Sequence, residues 1–154
     1  MDLQIQKEKI NIKKKIGEKN KRIVIEKDVI LPDSKPDIIK IQNESSNAYI
    51  TKKENMENKI KIDGGVATRI SYLTGEGKCR VLKIEESFSE VLEIQGVTEE
   101  TYINDSLNIR NTNVTILNER KIHYKVEIDC MVKASKKEEV EYIYEINKSH
   151  NLQT

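Results

Sequence analysis

The sequence has no tryptophan, one phenylalanine, two histidines, two cysteines and two prolines. So few ligating side chains rule out a convincing four-ligand zinc cluster, and Cys79 and Cys130 have no CxxC spacing. Charge of one sign is also lacking. In 154 residues, 27 Lys and Arg face 26 Asp and Glu, which argues against a general nucleic-acid binder with its basic excess. Disordered chains combine low hydrophobicity with high net charge, and only the first condition holds here. No apolar run approaches the roughly 18 residues of a membrane span. The opening MDLQIQKEKINIKKK has no apolar stretch of a secretory signal. The expectation is a cytoplasmic protein, inserted in no membrane.

The same scarcity thins out the catalytic options. Cys130 falls on the apolar side of an alternating stretch and is expected to pack as a small hydrophobe, with a disulfide to Cys79 as the alternative. A reducing cytosol disfavours that bond. A Cys–His nucleophile needs His123 or His150 beside a thiol, but His123 lies on the opposite strand face from Cys130. Asp33 and Asp37 are too ordinary a pair to define a cation site, and Ser87 and Ser89 lack a GxSxG elbow. Gly64–Gly65 has neither the helix start nor the lysine of a phosphate loop, so a bulge or bend is expected there. The residues point to no enzyme, no cofactor and no metal.

What is present is isoleucine and alternation. Hydrophobic residues make up 36% of the chain and charged ones 34%, with a mean hydropathy of −0.65. An isoleucine-rich, aromatic-poor core favours sheet, and one domain fits the length. The cleanest strand spans 121–134, where Ile122, Tyr124, Val126, Ile128, Cys130 and Val132 alternate with polar residues. In 59–73, Ile60, Ile62, Val66, Thr68 and Ile70 share a face. The stretch NKIKIDGGVATRISYL (58–73) aligns without gaps on RKIHYKVEIDCMVKAS (120–135), placing Ile60 on Ile122 and Val66 on Ile128. Two such hairpin units face to face make a sandwich or partly open barrel. Polar composition predicts a loop at 43–47 (NESSN), turns at 55–58, 74–78, 95–98, 118–120 and 135–137, and a fraying tail at 150–154. Residues 85–90 read as a polar segment anchored by Phe88.

The two prolines sit together in VILPDSKPDII (29–39), where a β-branched run gives way to another pattern. Pro32 ends a strand. Pro36, with Ser34 and Asp37 at the spacing of a capping box, predicts a short helix over 37–41. The corner reads either as a rigid turn over the core or as an exposed recognition patch. The other concentration is basic: Lys13, Lys14, Lys15, Lys19, Lys21 and Arg22. It is read as a solvated edge strand, or else as a polyanion or nucleic-acid contact.

The string PDSKPDI after a hydrophobic strand resembles the signature of the SPOCS domain family, found in spore coat morphogenesis proteins of clostridia. Pro32, Asp33, Lys35, Pro36, Asp37 and Ile38 carry the match, and a looser likeness runs over 21–144. The resemblance implies a non-enzymatic module in spore coat or envelope assembly, acting in the mother cell or at the forespore surface. Its implied partners are coat or envelope proteins, or further copies of itself. Multi-domain members end in a LysM domain, and a single unit without one is expected here. The fold expectation is all-β: an antiparallel sandwich or partly open barrel with one short helix. A lysine-rich segment (1–20), strand or partly disordered, precedes the β domain (21–146), and a polar tail (147–154) follows.

Overall fold

The computed structural model describes the backbone of residues 3–147 and the side chains of residues 10–139. Six strands follow one another: β1 (Leu3–Ile30), β2 (Lys40–Met56), β3 (Lys59–Leu73), β4 (Cys79–Glu93), β5 (Tyr102–Asn118) and β6 (Lys121–Asn147). They form two antiparallel three-stranded sheets, ordered β1–β6–β5 and β2–β3–β4. The described residues contain no helix.

Alternation decides which strands sit in the middle. Successive side chains of a strand point to opposite faces, and only β3 and β6 keep one parity buried without a break, over 60–72 and 122–134. They become the two central strands. Ile60, Ile62, Val66, Ile70 and Tyr72 on β3, with Ile122, Tyr124, Val126, Ile128 and Val132 on β6, have no exposed surface and share one core with the inner faces of the flanking strands. Each such side chain contributes about 1.5–3 kcal/mol by leaving water.

The internal repeat is therefore structural. Aligned residues Ile60 and Ile122, Val66 and Ile128, and Ile70 and Val132 hold matching places on the two central strands. β2 and β5 flank them in the same sense, each joined by a short turn. The third place is filled differently, by β4 from the next hairpin in one sheet and by β1 from the far end of the chain in the other. The connections match too. Ile94 N–H donates to Asn58 O at 3.0 Å, and Leu31 N–H donates to the aligned Arg120 O at 2.8 Å.

The two sheets are tied along both sides. Thr112 Oγ1 donates to Ser46 Oγ (2.8 Å) and Lys53 pairs with Asp105 (2.6 Å) between β5 and β2. Lys21 with Glu90 (2.7 Å), and Lys27 with Glu86, join β1 to β4.

Four local expectations are corrected. Residues 43–47 lie inside β2 and residues 85–90 inside β4, because an edge strand turns most of its polar side chains to solvent while Ser46 and Phe88 turn inward. Residues 135–137 do not turn, since β1 stays paired to β6 through them, with a register shift between Lys15 and Gly17. At Gly64–Gly65 the bulge is on the partner strand, between Ile50 and Lys52, while β3 keeps its register with β4. β1 crosses residues 20–21 unbroken; residues 148–154 lie outside the description.

Candidate functional site

The corner between β1 and β2 collects all six motif residues. Its ends are nailed down by apolar side chains, with Leu31 and Ile38 almost fully buried. Lys35 N–H donates to Pro32 O (2.9 Å) and closes a turn. Ile38 N–H then donates to Glu119 O and Ile39 N–H to Leu73 O, both at 2.9 Å. Those bonds continue the sheets, and this is why no helix starts at Pro36. Asp37 caps nothing; its carboxylate takes Arg120 at 3.1 Å.

Arg120 is the centre of the arrangement. From the β5–β6 turn its guanidinium donates to Lys35 O (2.5 Å), Pro32 O (2.9 Å) and Leu31 O (3.5 Å), besides Asp37. Its planar fork of five donors bridges acceptors spread wider than the three donors of a compact ammonium can span. Tyr72, buried under the corner, donates its hydroxyl to Pro36 O at 3.1 Å, and burial pushes its pKa up. Lys35 folds inward and gives its ammonium to Val81 O at 3.0 Å. Neither Arg120 nor Tyr72 stood out in the sequence, since both act across long separations. The only available signal was a lone arginine at a turn.

With its backbone held, the corner presents Pro32, Asp33, Ser34 and Pro36 to solvent. Among the described residues the Asp33 carboxylate makes no hydrogen bond or ion pair. Ile39 (58% exposed) stands beside them, and Ile30 (70%) ends β1 at the same pole. A groove of about 670 Å³ separates the corner from the 74–78 turn, with Glu76, Lys78 and Arg80 on its far wall.

At this point the chain can be placed. A family model described as SipL, SPOCS domain matches residues 37–117, more than half of the chain. The chain belongs to that family. No curated protein and no solved structure matches it. The span matched to the SPOCS domain starts at Asp37 and takes in β2, β3, β4 and nearly all of β5. Asp37 and Ile38 fall within it; Pro32, Asp33, Lys35, Pro36 and Arg120 lie outside, and Lys35, Pro36 and Arg120 are joined to it through Val81, Tyr72 and Asp37.

The basic residues do not form one patch. Lys15 pairs with Glu18 (2.7 Å), Lys21 with Glu90, Arg22 with Asp129 (3.4 Å) and Glu127 (3.8 Å), and Lys14 with Glu138 (3.8 Å). Lys13 lies 5.2 Å from the Tyr102 ring centroid. Both cysteines are free: Cys130 is buried and its pKa raised by desolvation, whereas Cys79 is exposed and donates to Gln42 Oε1 (3.1 Å). His123 stands on the outer face between Asp28 and Glu26, 2.7 Å from each. Among the described residues no three His, Cys, Asp or Glu side chains are grouped to hold a metal.

Proposed function

We propose that this SPOCS domain is a non-enzymatic β-sandwich module that works in spore coat or envelope assembly by binding other proteins through its proline corner. Membership of the family supplies the sporulation setting. The observation that carries the reading is Asp33, a carboxylate without any partner on a corner whose backbone is otherwise fixed by Arg120, Tyr72 and Lys35. A loop held this way presents its side chains with little ordering left to lose, and such preorganisation favours affinity. Exposed Ile39 and Ile30 give the same pole apolar anchors of the sort that dominate protein interfaces. The setting that follows is the mother-cell cytoplasm, at the surface of the forespore.

The test is a fluorescent fusion followed through sporulation in the source cell. Wild-type signal is expected to gather around the developing forespore. The Asp33→Arg, Ile39→Ala variant is expected to spread through the mother cell while the purified protein keeps its unfolding midpoint. Diffuse wild-type signal throughout sporulation would remove the proposal.

A further inference from the structure

The repeat provides a second groove, at the opposite pole from the corner. In the aligned numbering Lys136 and Lys137 take the places of Thr74 and Gly75, and the 94–101 crossing takes the place of the corner. Between them lies a groove of about 570 Å³, lined by Gly96, Thr98, Glu100, Tyr102, Lys136 and Lys137. Here the sheet opens: β5 begins opposite Ser135, so from Lys136 onward β6 pairs with β1 alone among the described residues. The outer edge of β6 is left bare.

Strand register sets lysine directly against lysine at this opening, Lys13 opposite Lys137 and Lys14 opposite Lys136. Like charges facing one another across a sheet are destabilising, and this near-neutral chain has enough carboxylates to avoid it. On β1 it does so elsewhere: Lys15, Lys21 and Lys27 each hold a glutamate. Among the described residues the side chains of Lys136 and Lys137 make no hydrogen bond or ion pair. Lys13 has only the ring of Tyr102, and Lys14 reaches Glu138 at 3.8 Å. The carboxylates nearby are Glu100, Glu138, Glu139 and the Lys15-bound Glu18.

We infer that this groove binds a linear, phosphate-bearing polyanion, laid over the open edge of β6 between the two lysine pairs. Adjacent residues of a strand point to opposite faces, so a single small anion can meet one pair only. A chain of phosphates crossing the edge meets both. The Lys13 ammonium lies over one face of the Tyr102 ring and competes with base stacking there, which favours a polymer without bases over a single-stranded nucleic acid. The site is independent of the corner and of what the corner binds.

The probe is short-chain inorganic polyphosphate, titrated into the full chain at several salt concentrations. Wild type is expected to bind, more weakly as salt rises. Lys136→Gln with Lys137→Gln should weaken binding about tenfold or more and flatten the salt dependence by nearly two counterions. Lys19→Gln, an exposed lysine outside the groove, should leave it unchanged. Without ligand, the double variant should melt higher than wild type, because the repulsion is relieved. Polyphosphate should raise the melting point of wild type and not of the variant. The inference fails if wild type does not bind at low salt, if polyglutamate or single-stranded RNA binds as tightly as polyphosphate, if Lys19→Gln weakens binding as much as the double variant, or if the double variant melts lower.

Discussion

Thr68 Oγ1 and the Tyr124 hydroxyl lie 2.7 Å apart in the core, joining the central strand of one sheet to the central strand of the other. The contact is one link of a hydroxyl chain. Thr68 also lies 2.8 Å from Ser46 Oγ, which accepts from Thr112 at 2.8 Å, so β5, β2, β3 and β6 are connected in sequence. Tyr124 ends the chain and has Thr68 as its one partner.

That asymmetry makes the two halves of the link unequal. Tyr124→Phe removes a hydroxyl and leaves Thr68 bonded to Ser46; it should lower unfolding free energy by about 1 kcal/mol. Thr68→Val strands the Tyr124 hydroxyl in the core and should cost about 1–3 kcal/mol. In urea unfolding the double variant should fall short of the sum of the singles, since two apolar groups then face each other. Additive losses would mean the hydroxyls are not coupled.

The neighbouring glycines of β3 should behave unequally. A Cβ on Gly64 would lie 2.3 Å from Tyr49 O, a backbone atom, and 2.6 Å from Phe88 Cζ. On Gly65 it would meet only the far end of the Tyr49 side chain, at 2.6–2.9 Å. Gly64→Ala is expected to destabilise by about 1–3 kcal/mol as an overpacked site, whereas Gly65→Ala lets Tyr49 swing toward solvent and should cost clearly less. Melting temperatures of the two variants decide it.

Arg120→Ala should loosen the corner before anything else. The carbonyls of Leu31 and Lys35 lose their donor and that of Pro32 keeps only the Lys35 N–H; a charged hydrogen-bond donor of this kind, one-third exposed, is worth about 1–2 kcal/mol. Limited proteolysis should then cut within residues 32–39 under conditions where wild type stays whole. Arg120→Lys should not rescue it, because a compact ammonium lacks the span of the two Nη atoms that share these acceptors. An unchanged digest would show that Leu31 and Ile38 alone hold the loop.

His123 links stability to pH with a definite sign. Its pKa is raised from the ordinary 6.5, first by hydrogen bonding to Asp28 and next to Glu26, and that of Asp28 is lowered from 3.8 chiefly by His123. The imidazolium thus contributes fully below about 6.5 and its contribution fades as pH rises through the raised folded value. The Asp28 carboxylate contributes above about 3.8 and fades as pH falls through its lowered value. Wild type compared with His123→Gln should therefore show its largest stability difference between those two pH values, shrinking at neutral and alkaline pH. A difference that does not vary with pH would break the link.

Parts of this were legible in the residues. The β-class, the core parity of β3 and β6, the hidden Cys130 and the family followed from period-two alternation and from the PDSKPDI string. Ile128→Ala remains an expectation of that reading, at about 2–5 kcal/mol. The helix at Pro36 was misread because capping signals are local, whereas Glu119 O and Leu73 O, far away in sequence, claim the N–H groups of Ile38 and Ile39. The lysine cluster was legible as the solvated edge strand that β1 is, but its partners were not: its carboxylates come from β4 and β6 as well as from β1 itself, and the like charges it faces, Lys136 and Lys137, come from β6. Polar stretches such as NESSN conceal edge strands, since only one of their faces has anything to hide.

The placement of β1 bears on how the molecule comes together. One sheet closes from neighbours, as β2, β3 and β4 pair in the order in which they are made. The other cannot, because β1 pairs with β6, its one strand partner among the described residues, and β6 is made only after all of residues 31–120. Pairing over such separations is slow and leaves an edge open to foreign strands while it waits. The lysines of β1 serve in that interval as well: a strand studded with like charges repels copies of itself until β6 arrives.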